Sequence, residues 1–427
     1  MRIGYACLTV GVLNADFKGC ILKNLNEEKL LSLIENNLNS LENIVDYNIK
    51  NNIKMFRISS DLIPFGSSDA NTLNWWDIFK DKFNEIGIKI NKSKMRVSVH
   101  PGQYTVLNSL NDDVVSKAVL ELNYHAKILE CLNVNVGTEH KMILHIGGIY
   151  NNKKEAVKRF KDNYNKLSFD IKKRLVIEND DKLYNISDVL EIGYDLGIPV
   201  VYDNLHNKIN CADKNKDDVH WIKECNKTWA HGDGIQKIHY SQQNEFKKSG
   251  SHSKTIFINE FMDFYNSLDD LKNDVDIMLE VKDKNLSAVK CINCTSTNKN
   301  IKSLELEWSK YKYSVLESSP SDYLKTRNLL KNKNDDVSVE FYKLIEHALY
   351  NENEKDNIIG NSINAAEHVW GCFKDLATEK EKNSFLKSIE NYKNEKVSIN
   401  VMKNILWRLS VKYNQQYLLN SYYFIEF

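Results

Sequence analysis

The 427-residue sequence has only 16 glycines, and none is arranged to cradle a phosphate. There is no P-loop, and Gly4 and Gly11 flank the first predicted turn at the wrong spacing for a dinucleotide fold. No apolar run reaches the roughly 18 residues that a membrane-spanning helix needs. The opening Met1-Arg2-Ile3-Gly4-Tyr5 lacks the charged, apolar and small-residue regions of a secretory signal. Eight cysteines spread over the chain make no disulfide framework, and Cys291 with Cys294 is half of a zinc ribbon lacking its second half. Reduced thiols and a cytoplasmic location are therefore expected. Basic and acidic side chains number 58 each and cancel. That balance supplies no overall basic footprint for nucleic acid, but it leaves room for a local patch beside an acidic pocket.

Eight short runs rich in Val, Ile, Leu and Met are present. They predict strands at Ile3–Cys7, Met55–Ser59, Arg96–His100, Met142–Ile146, Leu175–Glu178, Pro199–Asp203, Gln236–Tyr240 and Asp276–Val281. Runs of this kind suit strands buried on both faces of a parallel sheet. Between them lie segments of helical period. Leu30, Leu31, Ile34, Leu38, Leu41 and Val45 make one stripe, and Ala118, Val119, Leu122, Ala126 and Leu129 another. Strand–helix alternation over this length predicts a TIM (β/α)₈ barrel, a fold of typically about 250 residues. From about Glu305 strand signals stop, and helical patterns continue to Phe427. The expected organisation is a barrel domain over 1–300 and an all-α domain over 305–427, with a loop at Asn332–Asp336.

Ionisable residues recur at the predicted strand ends. His100, His145, Glu178, Asp203, His239 and Glu280 close strands three to eight, with His206 and His252 in the following loops. In a TIM barrel those ends meet at one mouth, where active sites form. Packing carboxylates and imidazoles together is costly unless something compensates, and divalent cations do so with this N and O donor set. Five histidines and three carboxylates exceed one four-coordinate site and suggest two or three ions, an arrangement suited to phosphodiester hydrolysis. His125 reads instead as a packed histidine on a helix stripe, and His140, His220 and His231 as surface or loop residues.

Seven ordered motifs make a resemblance specific. They are Ser59-Ser60-Asp61-Leu62-Ile63-Pro64, Val99-His100-Pro101-Gly102-Gln103-Tyr104, Leu144-His145-Ile146-Gly147-Gly148 and Ile177-Glu178-Asn179-Asp180, followed by Asp203-Asn204-Leu205-His206, Lys237-Ile238-His239-Tyr240-Ser241 and Met278-Leu279-Glu280-Val281-Lys282. Over about residues 1–295 the chain resembles the UV damage endonuclease family, relatives of endonuclease IV. The resemblance implies a metal-dependent DNA-repair enzyme that nicks damaged double-stranded DNA 5′ to cyclobutane dimers and (6-4) photoproducts. It implies that Glu178 bridges two ions, one sharing His100 and His145, the other sharing Asp203, His252 and Glu280. A third ion would use His206 and His239 with Lys237, carried as a carbamate. Glu178, Lys237 and His239 would be the catalytic residues. Manganese is the implied metal, and zinc suits the same ligands. Gln103 and Tyr104 would enter the duplex opposite the lesion, and Tyr5 would contact the lesion. One departure stands out: Ser68 occupies the place of a histidine found in many relatives, leaving Asp69 to substitute or that metal site weaker.

The tail resembles the YbgA-type helical domain of unknown function. The resemblance rests on Lys312-Tyr313, Ser319-Pro320-Ser321-Asp322-Tyr323, the stretch from Asn364 through His368 to Phe373, Arg408 and Tyr417-Leu418. Asn364, His368 and Arg408 are site candidates, while Ile358, Ala365, Val369 and Phe373 read as core. The tail is expected to bind a partner or nucleic acid, or to serve only as a stabilising domain, and the protein is expected to be a monomer. Three other functions share parts of this pattern. They are an endonuclease IV-like enzyme acting at abasic sites, a metal-dependent sugar isomerase, and a non-catalytic damage-binding protein.

Overall fold

A computed structural model of the chain describes residues 1–135, 139–297, 301–331, 336–351 and 358–427. All of the expected loop at Asn332–Asp336 except Asp336 lies outside them. The chain forms two compact units, one of Met1–Ile256 with Asp263–Val289, the other of Phe257–Met262 with Lys290–Phe427.

The first unit is a closed parallel barrel in which the strands neighbour one another in sequence order. They are β1 (Ile3–Cys7), β2 (Met55–Ile58), β3 (Arg96–Val99), β4 (Met142–His145), β5 (Leu175–Glu178), β6 (Val200–Asp203), β7 (Gln236–Tyr240) and β8 (Val275–Leu279). All eight expected strands form, with ends shifted by no more than two residues. Closure satisfies every edge, so no strand is left open to pairing.

The intervening helices start where asparagine can cap them. The side chains of Asn26, Asn111, Asn152 and Asn185 each accept a backbone N–H in the first turn of the helix that follows. In the helix Glu27–Lys50, Leu30, Ile34, Leu38, Leu41 and Val45 are buried as the stripe requires. Leu31 is only half-buried, and Leu33 takes its place in the core.

Residues alternate across each strand, and pairing fixes which set faces inward. Ala6, Met55 and Met278 pack together inside the barrel. At its N-terminal end Arg96 and Asp276, both fully buried, pair at 2.9 Å. The Arg96 guanidinium also donates to the carbonyls of Glu139 and Ile235 and lies 5.5 Å from the Trp229 ring.

The second unit is helical among its described residues. Tyr313, Leu316, Ala365, Val369, Phe373, Phe385, Met402 and Leu406 belong to its core. Trp370 and Phe385 stack with ring centroids 4.6 Å apart. Ile358, expected in the core, is half exposed because it opens its helix at the surface. Lys312 lies between the rings of Tyr313 and Tyr417, at 4.7 and 4.9 Å, so these motif residues pack against one another. Asn364, His368 and Arg408 are exposed.

Replacing Arg96 by methionine removes the closest charge partner of the buried Asp276 carboxylate and leaves it the Arg2 backbone N–H and the Arg2 guanidinium at 3.6 Å. Urea denaturation should show a loss of about 3–5 kcal/mol, without loss of the barrel's far-UV signal in the absence of denaturant.

Candidate metal centre at the barrel mouth

Strand register brings the expected residues together. His145 pairs in register with Glu178, and Asp203 with His239. Each occupies the inward set of its strand, while His100 and Glu280 follow the last residues of β3 and β8 in the same alternation. His206 arrives on the short helix Asn204–Ile209, which Asp203 caps by accepting the His206 backbone N–H at 2.8 Å.

Glu178, 1% exposed, is the hub. Its Oε1 accepts from His239 Nδ1 at 2.6 Å, and its Oε2 lies 3.3 Å from His100 Nε2 and 3.7 Å from His145 Nε2. Two sets of donor atoms converge within 4.8 Å: His100, His145 and Glu178, then Glu178, Asp203 and His239. The first set matches the expected grouping. The second places His239 with Glu178 and Asp203, although His206 Nδ1 also approaches Asp203 Oδ1, at 3.9 Å. His252 reaches the cluster from the loop after β7, its Nε2 3.8 Å from Glu280 Oε2.

Backbone carbonyls orient two of the rings. His100 Nδ1 lies 3.0 Å from the Pro101 carbonyl and His206 Nδ1 2.9 Å from the Asn179 carbonyl. A ring held through Nδ1 in this way is oriented so that Nε2, once deprotonated, can take a metal. Asp203 Oδ2, His239 Nε2 and His145 Nδ1 are buried without a hydrogen-bond partner. Asp203 Oδ2, a buried acceptor left unpaired where three carboxylates meet, fits a divalent cation.

The protonation balance shows the strain of this packing. Burial works against the Glu178 carboxylate, yet His239 and then His100 hold its pKa well below the usual range. Burial also opposes ionisation of Glu280, which Arg57 and then His239 hold down. Burial pushes Asp203 up; His206 opposes that shift, and Glu178 and Glu280 reinforce it. Burial lowers His100 to about 4. For His206 burial acts downward too, but Asp203 and Glu178 outweigh it and raise the pKa to about 9.

Lys237, two residues before His239 on the same face of β7, is fully buried, and its Nζ has no hydrogen-bond partner. Burial, with Arg96 and Arg57 adding to it, holds its pKa well below that of an ordinary lysine.

Tyr5 is not at the mouth. It pairs with Phe56, one register step away from the inward Ala6–Arg57 pair, and so faces the helix layer. There it is fully buried, and its hydroxyl binds Asn48 Oδ1 and Thr9 Oγ1, both at 2.8 Å. The expected lesion contact by Tyr5 is thus corrected to a core role. Gln103 and Tyr104 are exposed in the turn after β3, Tyr104 by 70%. Ser68 and Asp69 are exposed; the Ser68 hydroxyl accepts the Ala70 N–H within its own turn. His125 is buried against Glu121, as a packed histidine should be. His140 is half-buried, with its ring at the Val97 backbone.

Two contributors were missed. Arg57, on the inward face of β2, pairs with Glu280. Asn179 exchanges hydrogen bonds with the Asp203 backbone at 2.9 and 3.1 Å while its carbonyl orients His206. A lone arginine in an apolar run, in step with the ligand-bearing positions, was the available signal for the first.

Residues 1–310 match the family described as UV-endonuclease UvdE. The chain belongs to that family. Residues 312–427 match a second family, described as a protein of unknown function (DUF1722). A UV DNA damage endonuclease of Clostridium perfringens (strain 13 / Type A) is 40% identical over 408 residues, which span 94% of this chain and 95% of the relative. One of Bacillus cereus (strain G9842) is 30% identical over 289 residues, 67% of this chain and 90% of its own length. The crystal structure of SacUVDE superposes with a TM-score of 0.64 at 39% identity, covering 68% of this chain and 96% of that one. The family match with the last two relatives covers the barrel region, and the first relative extends through the helical tail.

In metal-stripped protein the two shifted imidazoles act in opposite directions. His206, raised from 6.5 to about 9, adds stability that is complete below pH 6.5 and is lost as pH rises through about 9. His100, lowered from 6.5 to about 4, favours the folded state above pH 6.5 and loses that advantage as pH falls toward 4. Thermal melts should therefore pass through a maximum near neutrality, and imidazole NMR titrations should assign the two limbs.

Proposed function

We propose that this chain is a DNA-repair endonuclease that nicks double-stranded DNA 5′ to UV photoproducts by metal-activated hydrolysis. The observation that carries the reading is the cluster of imidazoles and carboxylates around Glu178 at the mouth of a barrel in this family. The relatives named above as UV DNA damage endonucleases support the substrate class.

Two or three divalent ions are proposed, manganese by preference and zinc as the alternative. His100 and His145 would hold one with Glu178. Asp203 and His239 would share a second with Glu178, with His206, His252 and Glu280 completing the set. When bound, such ions supply positive charge that acidifies water and neutralises phosphate oxygens.

The chain's own residues do the rest. Glu178 spans both donor sets and fixes their separation. The Pro101 and Asn179 carbonyls hold the His100 and His206 rings in orientation. Arg57 keeps Glu280 ionised and in place. Lys237, held as the neutral amine, suits addition of carbon dioxide with loss of a proton, giving an anionic carbamate beside His239. Gln103 and Tyr104 stand exposed at the mouth, where a lesion's weakened stacking lowers the cost of inserting a wedge.

The proposed arrangement is a monomeric, cytoplasmic nuclease domain over 1–300 with an accessory helical binding domain over 305–427. Among the described residues the cysteines form no disulfide, in keeping with a reducing compartment.

Incubation of irradiated and unirradiated supercoiled plasmid with protein and Mn²⁺ should relax only the irradiated DNA. Equal inertness on both, across several metals, overturns the reading. Faster cleavage of an abasic duplex than of a dimer-containing one would reassign the substrate. Glu178→Gln should lower incision by about 10³-fold or more and reduce the metal count of purified protein by at least one.

A further inference from the structure

The most exposed large apolar side chain of the barrel unit is Phe246, 96% exposed in the loop after β7. Its surroundings are ordered by hydrogen bonds. Gln243 and His252 form an antiparallel bridge, and the Asn244 N–H donates to the Ser251 carbonyl at 2.7 Å. The Gln243 amide stitches the loop internally, donating to the Asn244 and Lys248 carbonyls and accepting from the Gly250 N–H at 2.8 Å. Gly250 sits at φ +82°, which a side chain would strain. At the tip, Asn244 Oδ1 accepts the Phe246 N–H at 3.0 Å. An aromatic ring is thus held out in water on a built hairpin, at the cost of its hydration.

Three further facts bear on the ring's role. The hairpin's return strand carries His252, which approaches Glu280, so its base stands at the metal cluster. Phe246 lies three residues beyond Gln243, no more than about 11 Å from that base. Lys247 and Lys248 follow it, both exposed and neither in an ion pair among the described residues. In the closed ring, β7 lies four strands from β3 and therefore opposite it. Tyr104, exposed after β3, and Phe246, exposed after β7, consequently stand on opposite sides of one mouth.

We propose that Phe246 is a second base-stacking residue, bracketing the DNA from the side opposite Tyr104, with Lys247 and Lys248 on the adjacent phosphates. The proposal rests on the reading of the barrel as a DNA-incising enzyme. Stacking of a base on an aromatic ring tolerates any sequence and suits bases already unstacked by damage. The lysines set position along the backbone without reading sequence.

The test is single-turnover incision by the full chain with Mn²⁺, over a range of concentrations of a duplex carrying one thymine cyclobutane dimer. Phe246→Ala should raise the half-saturating DNA concentration about tenfold, with metal content and melting temperature unchanged. Phe246→Trp should stay within about twofold of wild type, and Phe246→Leu should behave as the alanine variant. Replacing Lys247 and Lys248 by alanine should shallow the plot of log affinity against log salt by about one unit each. If the wild type fails to incise the dimer duplex, the functional reading falls and this inference with it. If the wild type incises and Phe246→Ala saturates alike, the inference alone falls. Full recovery by leucine excludes stacking, and an unchanged salt slope excludes the phosphate contacts.

Discussion

Everything at the mouth of this barrel is arranged around a carboxylate that should not be buried. Glu178 is out of water with Asp203 and Glu280 nearby, so three negative charges share a small volume. Mutual repulsion and lost hydration would neutralise such groups or expel them. Imidazoles from β4 and β7, from the ends of β3 and β6, and the Arg57 guanidinium supply part of the compensation. Asp203 Oδ2 remains without a partner, so the compensation is incomplete from the protein alone. A site left short of positive charge could hold cations, and the fold's task is to keep these side chains from relaxing away. Closing the sheet into a ring accomplishes that, because no strand can shift without breaking the pairing of both neighbours.

The parts of this design that were legible in the sequence are those set by one residue at a time. Strands buried on both faces leave apolar runs, and all eight were readable. The ligand-type residues stood at the ends of those runs, and the reading of His125 as a packed histidine needed only its place on a helix stripe. What escaped depends on register, which no single segment encodes. Tyr5 sits beside an inward Ala6 but faces outward, and only the pairing of β1 with β2 decides between the two. Arg57 belongs to the site by the same parity, and one arginine in a short apolar run does not by itself mark that. The grouping of His239 with Asp203 follows from their being direct partners on β6 and β7. That the exposed Ser68 hydroxyl bonds within its own turn depends on loop geometry that the sequence does not specify.

The helical tail teaches a different lesson. Its motif residues Lys312, Tyr313 and Tyr417 come together from distant positions, but they meet as a packed cation–aromatic sandwich. Residues that mark a family need not be residues that touch a ligand, and here the marks are partly those of a core. Asn364, His368 and Arg408 stay at the surface, available for contacts with something else. The relative from Clostridium perfringens aligns through this region, so the pairing of barrel and tail is not peculiar to one chain.

The alternation that brings the ligands inward also governs which changes in length the gene can tolerate. Deleting one residue inside β4 or β7 would turn His145 or His239 onto the helix layer and carry an apolar neighbour into the cavity. The chemistry would be lost in one step, however conservative the composition. Insertions in the turns beyond the strand ends meet no such parity. The loop after β3, and the tip of the β7 hairpin beyond the Gln243–His252 bridge, can lengthen, shorten or exchange residues while the imidazoles and carboxylates keep their positions. Drift in the kind of damage handled can therefore proceed by trading loops over a frame whose strand lengths are frozen.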